Sequence, residues 1–364
     1  MTSSPLHEVH QRLGASFTDF AGWTMPLRYG SELAEHRAVR EAAGIFDLSH
    51  MGEIELTGPE AGRALDYALA GHLSAVKVGR ARYTVICNAE GGVLDDLVVY
   101  RLGEDHYLVV ANASNAPLVA GELRDRAGGF LTEVADKSLA CALIAVQGPR
   151  AVDIVGAVCP ADLAALPYYG STPTRLAGHD VLLARTGYTG EDGFEVYAEA
   201  PHAVEVWDAL QAAGEPHGLR PAGLACRDTL RLEAGMALYG NELDVHTNPF
   251  EAGLGRVVKF DKPADFVGRA ALEEKRDKGV EATLVGLAGT GRRAPRHGYP
   301  VVGEDGKEVG TVTSGALSPT LGHPIAMAYV PPALSEPGTK LAVDIRGTAT
   351  PVEVVVLPFY KRSR

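Results

Sequence analysis

Hydrophobic positions along this chain change their spacing several times, and each change marks an element. Over 31–42, SELAEHRAVREA, apolar residues recur at helical intervals behind Ser31, a suitable N-cap, and Gly44 follows as a stop. Between 82 and 112 the period becomes that of strands. RYTVICN, a turn at Gly91 and Gly92, VLDDLVVYRL, the short turn GED and HYLVVAN predict an antiparallel meander. Helical spacing returns over about 115–127, 149–158, 201–213 and 219–235, separated by the strand-like runs LACALIAVQ (139–147) and VLLARTG (181–187). Beyond about residue 276 the runs TLVGLAG, YPVVG, EVGTVTSG, IAMAYV, KLAVDIRG and PVEVVVL are short, apolar and punctuated by Gly and Pro, the pattern of a small closed or sandwiched β domain. The charged segment EEKRDKG (273–279) marks a boundary, which leaves a mixed α+β body of one or two lobes before it.

Composition narrows the partners. Hydrophobic residues make up 46% and charged residues 22% of 364, as in an ordinary folded enzyme. The 34 basic against 46 acidic residues give a net charge of −12, which speaks against nucleic acid as a partner. Cys87, Cys141, Cys159 and Cys226 form no CxxC pair, so neither a disulfide framework nor a zinc knuckle is expected, and a reducing cytoplasm fits. The start MTSSPLHEVH lacks the basic flank and apolar run of a signal peptide, and the uncharged stretch 309–335 is broken by Gly and Pro. A cytoplasmic chain without a membrane segment is therefore expected.

Common chemical motifs are absent or incomplete. There is no GxxxxGK[ST] phosphate loop and no GxSxG elbow. HEVH places its histidines, His7 and His10, three apart where a zinc protease needs four. GTGRRA (289–294) follows a strand-like run, but Pro295 and Gly298 stand where a dinucleotide fold needs a helix N-terminus, so it reads as a basic loop carrying Arg292, Arg293 and Arg296.

Three clusters carry candidate chemistry. In GGVLDDLVVY (91–100) two adjacent carboxylates interrupt a Val- and Leu-rich strand. Alternation puts Leu94, Asp96, Val98 and Tyr100 on one face and Val93, Asp95, Leu97 and Val99 on the other, and both faces read as buried. A buried carboxylate must be hydrogen-bonded, neutralised or functional. If GED is a three-residue loop, Leu102 pairs with His106, Tyr100 with Leu108, and Asp96 falls opposite Asn112. An acid, an amide and a phenol then share one apolar face, which suits a flat heteroaromatic ligand; mutual satisfaction of Asp96 and Asn112 is the alternative. Asp95, facing away, is expected to serve stability. In RTGYTGEDGFEVY (185–197) glycines at 187, 190 and 193 permit a tight backbone path beside a ligand, and Glu195 can meet the donor edge of an aminopyrimidine or simply lie exposed. In GLACRDTLRLEAGMALYGNELD (223–244) Arg227 suits a carboxylate, while Asp228, Arg231 and Glu233 can pair locally.

These clusters, with DFAGWTMPLRYG (19–30), FDLSHMGE (46–53), ALIAVQGP (142–149) and TSGALSPTLGHPIAMAYV (313–330), resemble the glycine-cleavage T-protein, the aminomethyltransferase family, in order over essentially the whole chain. The resemblance implies an α+β fold of three domains arranged as a cloverleaf around a central folate site. On this chain they fall as two interleaved lobes, approximately 1–51 with 140–244 and 52–139 with 245–275, and a C-terminal β-barrel, 276–364. It implies transfer of a one-carbon unit from the aminomethyl-lipoyl arm of H-protein to tetrahydrofolate with release of ammonia, and no metal, flavin or nicotinamide. The family's catalytic aspartate falls on Asp96, and its folate contacts on Tyr83, Asn112, Tyr188, Glu195, Arg227 and Tyr239. Cys226 departs from the alanine usual before Arg-Asp, a change confined to local packing. Related folate proteins demethylate small methyl donors or maintain iron–sulfur enzymes. The latter carry a KGCYxGQE-like signature where this chain reads LYGNELD, and flavin-fused relatives need a dinucleotide loop that it lacks.

Overall fold

The computed structural model describes residues 1–362. Two sheets dominate the part before the barrel. One has six strands in the order Ser171–Leu176, His179–Ala184, Gly193–Glu199, Cys141–Gln147, Ala43–Asp47 and Leu219–Pro221. The other has five, ordered Arg80–Cys87, Val93–Gly103, His106–Ala111, Gly52–Thr57 and Glu133–Asp136. Period-two alternation assigns each strand a helix-covered face and an inner face. Along Gly193–Glu199, Phe194, Val196 and Ala198 pack under the helices Ala151–Gly156 and Ala203–Gly214, while Tyr197 points the other way. Along Val93–Gly103, Leu97 and Val99 pack under Ala61–Ala68 and Ala116–Ala127, while Tyr100 points inward. The inner faces meet through Leu143, Ala145 and Tyr197 on one side and Tyr100, Leu108 and Val110 on the other.

A three-stranded N-terminal sheet (Thr2–Ser3, Trp23–Arg28, Ser16–Phe20) flanks this body. The six runs expected after residue 276 close into a barrel in the order Thr283–Gly289, Pro324–Val330, Glu308–Leu317, Pro300–Val302, Lys340–Asp344 and Ala349–Val355. Its small core of Val285, Leu287, Val312, Ala328, Val343 and Val354 comes from alternate positions of those runs. Residues 363–364 of the expected C-terminal unit lie outside the described residues. No helix among the described residues is long and apolar enough to cross a membrane.

Most elements lie where the spacing put them, and the helix Glu32–Glu41 is capped by the Ser31 side chain as expected. Three details differ. The expected helix over 219–235 begins only at Leu224, because Leu219–Pro221 pairs in parallel with Ala43–Asp47. At Gly223 the backbone runs so close to Leu27 that an added Cβ would lie 2.3 Å from its carbonyl oxygen, a path closed to other residues. At the GED turn Gly103, not Leu102, pairs with His106, and a bulge between Arg101 and Gly103 restores the expected Tyr100 to Leu108 pairing. The charged segment at 273–279 ends a helix, Arg269–Lys278, that buries only Leu272, so its apolar period was too weak to stand out.

Candidate active site

Where the two sheets, the helix Leu224–Glu233 and the chain after it converge, a cavity of about 1010 Å³ opens, and all seven candidate residues line it. Asp96 anchors one wall. Its Oδ1 accepts from Asn112 Nδ2 at 2.8 Å and its Oδ2 from the Tyr83 hydroxyl at 3.0 Å. Tyr83 lies directly opposite Val98, so it reaches Asp96 along the diagonal of the strand pair. Burial pushes the Asp96 carboxyl up from its ordinary value, against the lowering effect of the Tyr83 and Asn112 hydrogen bonds, and burial raises the Tyr83 phenol well above its own.

Asp95 turns away from the cavity into the helix-covered face and is fully buried. It accepts from the backbone N–H of Asn112 at 3.0 Å, from Asn112 Nδ2 at 2.8 Å and from Asn115 Nδ2 at 2.8 Å. Asn112 therefore clasps both acids. Burial, reinforced by the neighbouring Asp96, raises the Asp95 carboxyl. Replacing Asp95 with Ala orphans these donors and is expected to lower stability by about 1–3 kcal/mol, read as a fall in the unfolding midpoint.

Glu195 stands on the second wall. It lies opposite Ala145 on one neighbouring strand and Ala184 on the other, and their small side chains leave room for it. Thr186 Oγ1 donates to Glu195 Oε2 at 2.5 Å and lies 2.9 Å from the Tyr100 hydroxyl, which receives the Tyr197 hydroxyl at 3.2 Å. Burial raises the phenols of Tyr100 and Tyr197 well above their ordinary values. The glycines around this strand have a different main use from the one expected. A Cβ at Gly187 would lie 1.9 Å, and at Gly193 2.5 Å, from the amide of Gln147, so they make room for a protein side chain. That amide donates to Thr186 O at 3.0 Å and accepts from Thr189 at 2.9 Å, fixing the loop.

Arg227 and Tyr188 meet on the third side, the guanidinium carbon 4.7 Å from the ring centroid. The Tyr188 hydroxyl donates to Ala237 O, and the Tyr239 hydroxyl to Val93 O at 3.2 Å. The local pairing expected on this helix is partly different. Arg231 binds Asp228 at 2.8 Å, but its buried partner is Glu242 at 2.9 Å, while Glu233 pairs with Arg40 at 2.8 Å. Outside the cavity, His10 is held by Asp47 at 2.8 Å and Tyr29 at 2.8 Å, and Arg292, Arg293 and Arg296 are exposed.

Sequence reasoning did not single out Thr186, Tyr169, His50 or Met51, which also line the cavity. Thr186 stood inside the quoted RTG run, and His50 and Met51 inside FDLSHMGE, but none has a periodic signal.

The chain is similar to known proteins over nearly its whole length. The GCVT N-terminal domain model matches residues 6–262, and the glycine cleavage T-protein C-terminal barrel domain model matches residues 283–361. The aminomethyltransferase of Saccharopolyspora erythraea is 63% identical over 360 residues, covering 99% of this chain and 98% of that one. That of Streptomyces coelicolor is 60% identical over 363 residues, with 99% and 97% covered. The crystal structure of the glycine cleavage system aminomethyltransferase T from Bartonella henselae superposes with a TM-score of 0.93 at 37% identity, over 99% of this chain and 98% of that one. With both domain models in place and near-complete coverage at such identity, the chain belongs to the glycine cleavage T-protein family, the aminomethyltransferases.

Proposed function

We propose that the cavity binds tetrahydrofolate and that the chain transfers to it the one-carbon unit of the aminomethyl-lipoyl arm of H-protein, releasing ammonia. The observation that carries this is the Asp96 carboxylate, clasped by Asn112 and Tyr83 on the wall of a cavity of about 1010 Å³. Such a volume and a largely apolar lining with a few convergent polar groups suit a heteroaromatic ligand.

Tetrahydrofolate supplies N5, the amine that first takes up the carbon, and N10, which closes the methylene bridge, and the two protons they shed leave on ammonia and on the lipoyl thiol. Asp96 places negative charge where positive charge develops as the bonds from that carbon to nitrogen and sulfur loosen. Burial raises the proton affinity of this carboxylate, so it also suits uptake of the proton that N5 sheds. Tyr83, Tyr188 and Tyr239 wall the pterin slot, Asn112 fixes Asp96, Glu195 accepts from the aminopyrimidine edge, and Arg227 takes a carboxylate of the glutamate tail. Holding donor and acceptor in register supplies the rest of the rate enhancement.

The site sits between three units in the division we infer, 1–51 with 140–244, 52–139 with 245–275, and 276–364. The two sheets, each drawn from a different set of these segments, support it, as does the gap between the matched ranges ending at 262 and beginning at 283.

Ammonia and methylenetetrahydrofolate formed from aminomethylated H-protein test the reading. Stoichiometric appearance of both is expected. Folate binding without turnover of that donor overturns it in favour of a maintenance protein, and activity on a sulfonium methyl donor in favour of a demethylase.

A further inference from the structure

One polar side chain on the cavity wall has no part in the transfer. His50 follows the strand Ala43–Asp47 in the turn that leads to Gly52–Thr57, where the chain crosses from one sheet to the other. It is 3% exposed and lines the cavity, and its Nδ1 is sealed from solvent without a hydrogen-bond partner, which leaves Nε2 as the ring nitrogen open to the cavity. A sealed N–H without an acceptor costs about 1–3 kcal/mol, so a neutral ring does best with its N–H on Nε2, free to meet a partner that arrives with the ligand.

Its surroundings specify that partner. The neighbouring acid, Asp47, is occupied by His10 at 2.8 Å, by Ser4 and by the backbone N–H of Ser49 at 2.9 Å. Phe20 packs edge-on against the imidazole, centroids 5.3 Å apart at 84°, and holds its orientation. Burial, and then the positive charge of Arg227, holds His50 down at about 4, so it is neutral at physiological pH and keeps one N–H to donate. Arg227 is itself available to a ligand. Asp228, the acid beside it in sequence, is taken by Arg231 at 2.8 Å, and Glu195 by Thr186 at 2.5 Å. A fixed cation and a neutral donor facing one cavity form an environment complementary to a carboxylate.

We propose that His50 and Arg227 form a two-point carboxylate clamp, in which the imidazole N–H donates to the same glutamate-tail carboxylate that the guanidinium attracts. The inference rests on the folate reading above and adds to it a positioning residue that selects ligands bearing the tail. The clamp takes the tail and not the reacting N5, so its effect falls on binding and not on the chemical step.

The test compares tetrahydrofolate with tetrahydropteroate, which lacks the glutamate, in direct binding to the full chain. His50→Ala is expected to weaken tetrahydrofolate by about ten- to a hundredfold, the worth of a hydrogen bond to a charged group, and to change tetrahydropteroate by less than about twofold. His50→Gln, which retains an N–H donor, is expected to recover most of the loss. Equal weakening of both ligands, or of neither, overturns the clamp. A measurement without substitution guards against a folding defect. In the wild-type chain labelled with ¹⁵N-histidine, the His50 Nε2 signal is expected to move to a hydrogen-bonded position with tetrahydrofolate only, and the same shift with tetrahydropteroate overturns the proposal. The two readings fail separately. A wild-type chain that binds neither ligand removes the folate reading and the clamp with it, whereas equal binding of both leaves the folate reading standing and removes the clamp alone.

Discussion

Asp96→Asn is expected to lower turnover by about 10²- to 10⁴-fold while tetrahydrofolate binding and the fold persist. Asparagine has nearly the same shape as aspartate. Its carboxamide oxygen can accept from Asn112 Nδ2, now 2.8 Å from Asp96 Oδ1, and its amide can donate to the Tyr83 oxygen, now 3.0 Å from Oδ2. The clasp therefore survives. What disappears is a full negative charge inside a cavity where water screens it poorly, together with the site that takes up a proton. Single-turnover measurements with loaded H-protein separate this loss from any change in binding. Near-normal turnover in the purified variant would remove Asp96 from the role assigned to it.

Glu233→Ala is expected to produce the largest loss of stability, about 3–5 kcal/mol, because it breaks a buried charge network from one side. Glu233 is fully buried at the end of the helix Leu224–Glu233. It accepts from Arg40 Nη2 at 2.8 Å, from the backbone N–H of Thr320 at 3.0 Å and from Ser318, and it lies 3.2 Å from His36 Nε2. One carboxylate thus ties the helix to Glu32–Glu41 and to the barrel loop that carries Ser318 and Thr320. Burial alone would raise this carboxyl, but His36, Ser318 and Thr320 outweigh it and hold it at about 2.

The sign of the pH dependence follows. The unfolded chain binds this proton more readily than the folded one, so the stabilisation is fully present above the ordinary glutamate value. It shrinks as pH falls below that value and is gone once pH passes about 2. Unfolding midpoints of wild type and Glu233→Ala from about pH 7 down to about pH 3 check both parts, since the gap between the two should be widest at neutral pH and narrow on acidification. A constant gap would show that lost packing, and not the carboxylate, accounts for the effect.

The first wall of the site was legible because it depends on local rules. Alternation along Val93–Gly103 separates Asp96 from Asp95, and hairpin arithmetic brings Asn112 beside them even though the turn is one residue off, since the bulge at Arg101 and Gly103 absorbs the difference. The second wall was legible only as residue types. Glu195 could be placed on a strand face, but its partners are Thr186 from the loop that precedes its strand and Tyr100 from the opposing sheet. The strand Leu219–Pro221 was read as helix because three residues carry no period of their own. Their state is set by pairing with Ala43–Asp47, far away in the chain.

By itself, the order of residues determined what each segment is: the meander and its faces, the capped helix behind Ser31, the six barrel runs, and the acids, tyrosines and arginine that the chemistry needs. These follow from interactions among neighbours in the chain, whose spacing the backbone period sets. Only the tertiary structure decided which of these groups share a cavity, and it did so through contacts across long separations. Tyr100 meets Tyr197 at 3.2 Å, His36 meets Glu233 at 3.2 Å, and His50 lines the same cavity as Arg227, pairings that depend on two sheets stacking and a barrel docking against them.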